Sequence, residues 1–222
     1  MTTTTSADSQ FHEGPERAMQ FSWNAACAML TTPGAVESLT IEMVRRHFAD
    51  AAHLQSPPLR DYIWRADEKT TQIMIESVFV WKPEITKLRP AILLRANEFT
   101  NNQVGIGNRL QGVTADSHGN PHFATFWDGS VTAFCIAGND VTADMLAGEV
   151  QRLATEFAPV ILRVLKFQRF GTAKVGQTAF LEEARQKYVK PVTIGVRFEQ
   201  RWVLAQQAPR LKAVIVGNGC RR

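Results

Sequence analysis

Apolar and polar residues alternate most regularly near the C-terminal end of the chain. Between residues 192 and 204 apolar side chains occupy nearly every second position, the pattern of a strand with one face in a core. The positions on that apolar face are Val192, Ile194, Val196, Phe198 and Trp202. The opposite face carries Arg197, Glu199 and Arg201, which we predict to share one exposed side of the strand and to contribute to an interface.

Two other segments have the spacing of amphipathic helices. Residues 36–54 place apolar side chains three and four positions apart, and Pro33 suits the start because proline is tolerated in a first helical turn. Residues 141–158 show the same spacing, and Pro159 is predicted to end or kink that helix. The sequence therefore predicts two main helices.

The remaining patterns favour strands and one long loop. Segments 73–81 and 89–95, rich in β-branched and aromatic residues, predict an antiparallel pair, and 131–137 predicts a further apolar strand. Glycine and polar residues across 97–128 predict an irregular loop, and residues 160–170 are expected to return to strand. This order indicates an α+β fold: a mostly antiparallel sheet with two main helices packed on one face.

The same patterns divide the chain into an ordered domain and two terminal segments. The predicted parts are an N-terminal arm (1–34), a single α+β domain (35–216) with the loop insertion at 97–128, and a C-terminal tail (217–222). The arm carries Phe21 and Trp23, apolar side chains that a solvated tail would not need. We therefore include both among the candidate interface residues.

Charge is distributed unevenly along the 222 residues, although the net charge is only +4. Residues 151–222 carry fourteen basic and four acidic residues, whereas 61–150 carry seven basic and eleven acidic residues. Such asymmetry occurs in proteins that bind nucleic acid or an acidic partner. It also occurs where two halves neutralise each other within a fold or between identical subunits.

The three cysteines form no disulfide framework, which favours a soluble protein of a reducing compartment. Cys135 is expected to be buried.

The sequence contains no consensus motif for catalysis or metal binding. It has neither a GxxxxGK[ST] phosphate loop nor a GxSxG nucleophile elbow. His118 and His122 are four residues apart, but Gly119 and Pro121 lie between them and disfavour the helix that would align them. His47 and His53 are six apart on the first predicted helix and would not share a face. We predict that the protein is not an enzyme and uses no cofactor and no metal.

Three stretches resemble structural proteins of tailed bacteriophages. They are VFVWKPEITKLRPAILLR at 78–95, FCIAG with the helix ending EFAPV at 134–160, and the closing segment 192–211 with FEQRW and APRL. Together with the order of the predicted elements they cover residues 36–215. The arrangement is similar to that of the tail-terminator proteins of the phage neck.

The resemblance implies a structural protein of the virion tail or neck, assembled in the host cytoplasm. Tail terminators form a hexameric ring that closes the tail tube and offers a docking face to the head-completion proteins. The implied partners are further copies of this chain, the tail tube protein, a head-completion or connector protein, and packaged DNA through non-specific contact. No membrane partner is implied.

Other functions are compatible with the sequence. The chain could be another head–tail connector or tail structural protein, or a nucleic-acid-binding module that uses its basic C-terminal third. It could also be a small enzyme with a site in the loop at 97–128. Steeply salt-dependent DNA binding by a monomer would favour the nucleic-acid module, and bound metal or a substrate-dependent thermal shift would favour the enzyme.

Overall fold

A computed structural model describes residues 32–81, 89–103, 122–181 and 187–203, and the account below concerns these residues. They form two α-helices and seven strands, which confirms the α+β class. The elements in chain order are α1 (Pro33–Phe48), β1 (Met74–Ser77), β2 (Ala91–Ala96), β3 (Thr100–Gln103), β4 (His122–Ala137), α2 (Asp140–Val164), β5 (Arg169–Val175), β6 (Ala179–Phe180) and β7 (Tyr188–Val203). Two short 3-10 helices, Ala51–His53 and Pro57–Asp61, lie between α1 and β1.

Each α-helix begins with a side-chain cap. The Thr32 hydroxyl accepts a hydrogen bond from the Ala35 amide at 3.2 Å, and the Asn139 side-chain oxygen accepts one from the Thr142 amide at 2.6 Å. These bonds satisfy backbone donors that have no partner inside the first helical turn. The start predicted at Thr32 and Pro33 is therefore confirmed, with proline in the first turn.

Helix α2 continues through Pro159, so the strand predicted from residue 160 is wrong in its first part. Proline removes one backbone donor, yet Ile161 in the following turn is only 5% exposed and packs in the core. Burial of apolar surface by the last turns offsets the lost hydrogen bond. The next strand, β5, begins at Arg169.

The sheet is built on one long antiparallel pair. Strands β4 and β7 are sixteen residues each and stay in register from His122 opposite Val203 to Ala137 opposite Tyr188. The strand order is β1-β2-β4-β7-β5, with β3 beside the first part of β4 and β6 beside the first part of β7. The sheet is therefore mostly antiparallel, as predicted.

Strands β1 and β2 are parallel, which corrects the predicted antiparallel pair. Met74 lies opposite Ala91, and the register continues to Ser77 opposite Leu94. Apolar periodicity identifies a strand and its buried face, but both directions of pairing bury the same face. The sequence pattern therefore could not distinguish them.

Part of the loop predicted at 97–128 is also strand. Strand β3 lies within it, and β4 begins at its end. Polar side chains bond across this pair: Asn102 donates to the Asp128 carboxylate at 2.8 Å, and the Thr125 hydroxyl donates to the Asn101 side-chain oxygen at 2.5 Å. The sequence here is polar, which is typical of a loop. In the structure these polar side chains bond to one another across two strands and do not enter the core. Residues 104–121 lie outside the described residues.

One main core lies between the sheet and both helices, which confirms that the helices pack on one face. Its members from β7, buried to 2% exposure or less, are Val192, Ile194, Val196 and Phe198. Side chains from α1, α2, β1, β2 and β4 complete this core. A smaller apolar cluster on the opposite face contains Met74, Ala91, Leu93 and Ile136.

Candidate interaction surface

Arg197, Glu199 and Arg201 lie on the sheet face opposite the helices, as predicted. They alternate with the buried residues Val196 and Phe198 along β7. We use "polar face" for this side of the central strands. Its described members include Phe126, Asp128, Ser130, Thr132, Arg169, Thr193, Arg197, Glu199 and Arg201.

Asp128 is the focus of charge on the polar face. Its carboxylate lies 3.0 Å from Arg197 Nη2 and 3.7 Å from Arg169 Nη2, and it also accepts the Asn102 bond. The guanidinium of Arg197 further stacks over the Phe126 ring at 5.5 Å. Two half-exposed or exposed arginines thus share one carboxylate, so this part of the face has an excess of positive charge.

Glu199 and Arg201 form a two-bond ion pair on the same strand. Arg201 Nε and Nη2 donate to the two carboxylate oxygens at 2.8 and 3.0 Å. These hydrogen bonds raise the pKa of Arg201. The pair is charge-neutral, so an acidic partner would be attracted chiefly by Arg197 and Arg169.

Hydroxyl and amide groups continue the polar face toward β2. Asn97 donates from its side chain to Ser130 Oγ at 2.9 Å and to Thr132 Oγ1 at 2.8 Å, and Thr132 lies 3.2 Å from the Thr193 hydroxyl. Hydrogen-bonded polar groups of this kind are common where a protein surface meets a polar, hydrated interface.

A buried ionic cluster between the helices was not predicted. The Glu149 side chain is 2% exposed, and its Oε1 lies 2.7 Å from His47 Nε2 and also accepts from Arg152. Because an ionised carboxylate only accepts, the histidine donates to it. Arg152 also donates to the His53 carbonyl at 2.7 Å and to Glu156 at 2.6 Å. We call His47, Glu149 and Arg152 the buried cluster.

Hydrogen bonding keeps the central carboxylate ionised despite its burial. Burial by itself raises the pKa of Glu149, but hydrogen bonds from Arg152 and His47 and the nearby guanidinium charge together hold it below its ordinary value. The Nη atoms of Arg152 and the Nε2 of His47 are thereby paired, whereas the buried Nε of Arg152 has no hydrogen-bond partner among the described residues. The geometry is typical of a structural tie between two helices.

His47 and His53 come together in the structure, contrary to the sequence-based expectation. Helix α1 ends at Phe48, and the 3-10 turn Ala51–His53 brings the second imidazole back over the first. Their rings stack with centroids 5.9 Å apart. The prediction assumed one continuous helix to residue 54. In such a helix, side chains six residues apart point in different directions from the axis.

An apolar groove of about 600 Å³ opens beside the buried cluster, between α1 and the second half of α2. We call it the interhelix groove. Its apolar lining comes from Leu39, Met43, Phe157, Val160, Ile161, Val164 and Leu165. Phe157, Val160 and Val164 are 42%, 45% and 37% exposed, and they follow one another on a single side of α2.

Several titratable groups in the part of the chain that the structure describes are buried or paired. Within these ranges no cluster of three metal-ligating side chains occurs, and no helix is long and apolar enough to cross a membrane. Cys135 is fully buried, and burial raises the pKa of its thiol to about 12. Phe21, Trp23 and His118 lie outside the described residues.

Comparison with known proteins adds no relative: no protein-family model matches the chain, and no curated protein matches it significantly. The resemblance to tail terminators therefore stays a prediction.

Proposed function

We propose that the protein is a structural component of a tailed-phage virion. It forms a ring, hexameric by the resemblance, in the neck, where it terminates the tail tube and joins it to the head-completion proteins. The order helix, strands, helix, strands in the fold is compatible with the resemblance. The observation that carries the proposal is the difference in charge between the two edges of the sheet: one carries only basic charged residues, and the other carries exposed acidic residues among basic ones.

One edge is formed by β5 and is basic. Between residues 157 and 181 the chain has four basic residues and no acidic residue. All four basic side chains are exposed: Arg163, Lys166, Arg169 and Lys174. Strand β5 also has a register irregularity between Thr172 and Lys174, a feature that interrupts regular pairing at a sheet edge.

The other edge is formed by β1 and the segment that leads into it, which has more acidic than basic residues of its own but also contacts Arg45 and Arg89. Residues 61–77 contain four acidic and two basic residues. Arg45 ties this segment to the edge, because its Nε donates to the Ile75 carbonyl at 2.9 Å and its guanidinium stacks 5.2 Å from the Trp64 ring centroid. Glu76 lies in β1 itself.

Unlike charges at opposite edges favour head-to-tail association. A heterologous contact uses two different patches, one from each neighbour, and closes into a ring when the rotation between neighbours permits. Charge complementarity steers the encounter and sets which patches meet. An outward-facing polar face would then remain available for the tail tube or a head-completion protein.

Charge reversal at each edge tests this proposal. Lys166→Glu with Lys174→Glu should reduce ring formation, and Glu68→Lys with Glu76→Lys should reduce it too, since like charges then face each other. A chain carrying all four changes restores complementarity and should recover the ring. The measurement is native mass spectrometry and electron microscopy of the full chain, alone and with tail tubes.

The quadruple variant is the decisive control, because it carries all four substitutions and yet should assemble into the ring. The ring would be contradicted if no variant differed from the unmodified chain, or if the quadruple variant remained folded but did not form the ring.

A second candidate function, binding of a nucleic-acid backbone, is favoured by the same basic edge. In that case the two lysine changes abolish salt-dependent DNA binding by a monomer, and the glutamate changes do not.

A further inference from the structure

We propose that residues 18–31 of the same copy bind in the interhelix groove. The groove is an apolar surface between the two helices, and this segment directly precedes α1 in the chain. The inference is independent of the proposed ring.

The groove has an apolar floor and a rim whose charges are already paired. Phe157, Val160 and Val164 present exposed apolar surface on α2. On the rim, Arg46 pairs with Glu42 at 2.8 Å and Arg152 pairs with Glu156 at 2.6 Å. Because each rim cation has an acidic partner, the groove favours an uncharged apolar occupant over a charged one.

The segment before α1 has that composition. No charged residue occurs between Arg17 and Glu37, a contrast with the rest of the chain. Within it, residues 18–31 carry Met19, Phe21, Trp23, Met29 and Leu30. Large apolar side chains without accompanying charge are costly to leave in water, and their burial against apolar surface is favourable.

The distance from the segment to the groove is short. The segment is followed directly by Thr32, the cap of α1, and the groove's α1 lining starts at Leu39, which is about 10 Å along the helix at 1.5 Å per residue. About three or four extended residues cover that distance. The remaining residues are enough to run along the groove, and the covalent connection favours the chain's own segment over that of a second copy.

Photo-cross-linking of the full chain tests the proposal. Benzoylphenylalanine replaces Phe157, and isotopically light and heavy copies are mixed before irradiation. We expect cross-links to residues 18–31, joining fragments of the same isotope. The matched control places the same group at Val141, which is 58% exposed at the other end of α2 and outside the groove. It should not label that segment.

Substitution in the segment provides a second readout. Phe21→Ser with Trp23→Ser should lower the cross-linking yield from position 157 severalfold. Phe11→Ser, which removes an apolar side chain outside 18–31, should leave the yield unchanged. Cross-links to other parts of the chain, light–heavy cross-links as frequent as same-isotope ones, or no cross-links at all would each overturn the proposal.

Discussion

Removal of the Glu149 carboxylate should destabilise the fold far more than removal of its exposed neighbour. The perturbation is Glu149→Leu, which replaces the carboxylate by an apolar side chain of broadly similar size. It leaves His47, only 6% exposed in its side chain, without the acceptor at 2.7 Å. Glu156→Gln is the matched control, because that carboxylate also bonds Arg152 but is half exposed.

The expected magnitude follows from what each variant leaves unpaired. Breaking a buried ion pair by removing one partner costs about 3–5 kcal/mol. Arg152 keeps its bonds to Glu156 and to the His53 carbonyl, so the lower value, about 3 kcal/mol, is expected for Glu149→Leu. Glu149→Gln, which retains an acceptor of the same shape, should cost about 1–2 kcal/mol, and Glu156→Gln less than about 1 kcal/mol.

Urea denaturation of the full chain, followed by circular dichroism at neutral pH, measures these differences. The reasoning is refuted if Glu149→Leu and Glu156→Gln shift the unfolding midpoint equally, with unchanged dependence on urea concentration. Equal shifts would mean that the buried carboxylate contributes no more than an exposed pair.

The pH dependence provides an independent check on the same residue. The pKa of Glu149 is lowered in the folded state from the model-compound value of 4.5, so the unfolded chain binds the proton more readily. Its contribution to stability is therefore present above that value and decreases as the pH falls through the folded-state pKa. The stability difference between the unmodified chain and Glu149→Gln should shrink in acid; a difference that grows as the pH falls would contradict the assignment.

Further predictions concern backbone space and thiol reactivity. Gly129→Ala would place its Cβ 2.4 Å from the Phe99 ring, and we expect a loss of about 1–3 kcal/mol in the free energy of unfolding measured in urea. Gly148→Ala, on exposed α2 surface with no atom within 4 Å of the added Cβ, should instead stabilise the fold by about 0.5–1 kcal/mol. In a chain whose other two cysteines are serine, Cys135 should react with a thiol reagent only as fast as the protein unfolds, because the thiol is buried and its pKa is raised to about 12. Rapid labelling under native conditions would contradict its placement.

Local patterns in the sequence determined those features that depend on neighbouring residues. Period-two alternation placed Arg197, Glu199 and Arg201 on one face of β7, because successive side chains of a strand point to opposite sides. The start of α1 at Pro33 and the burial of Cys135 in an apolar strand followed from equally local signals. The α+β class followed from the order of such segments.

The tertiary structure alone decided the features that join distant parts of the chain. Glu149 is 102 residues from His47, and nothing near either residue in the sequence indicates the other. The parallel direction of β1 and the passage of α2 through Pro159 were likewise set by packing against the shared core. Local periodicity specifies which side chains seek burial, whereas strand direction, helix length and ion pairing depend on which buried surfaces meet, and that is a property of the whole fold.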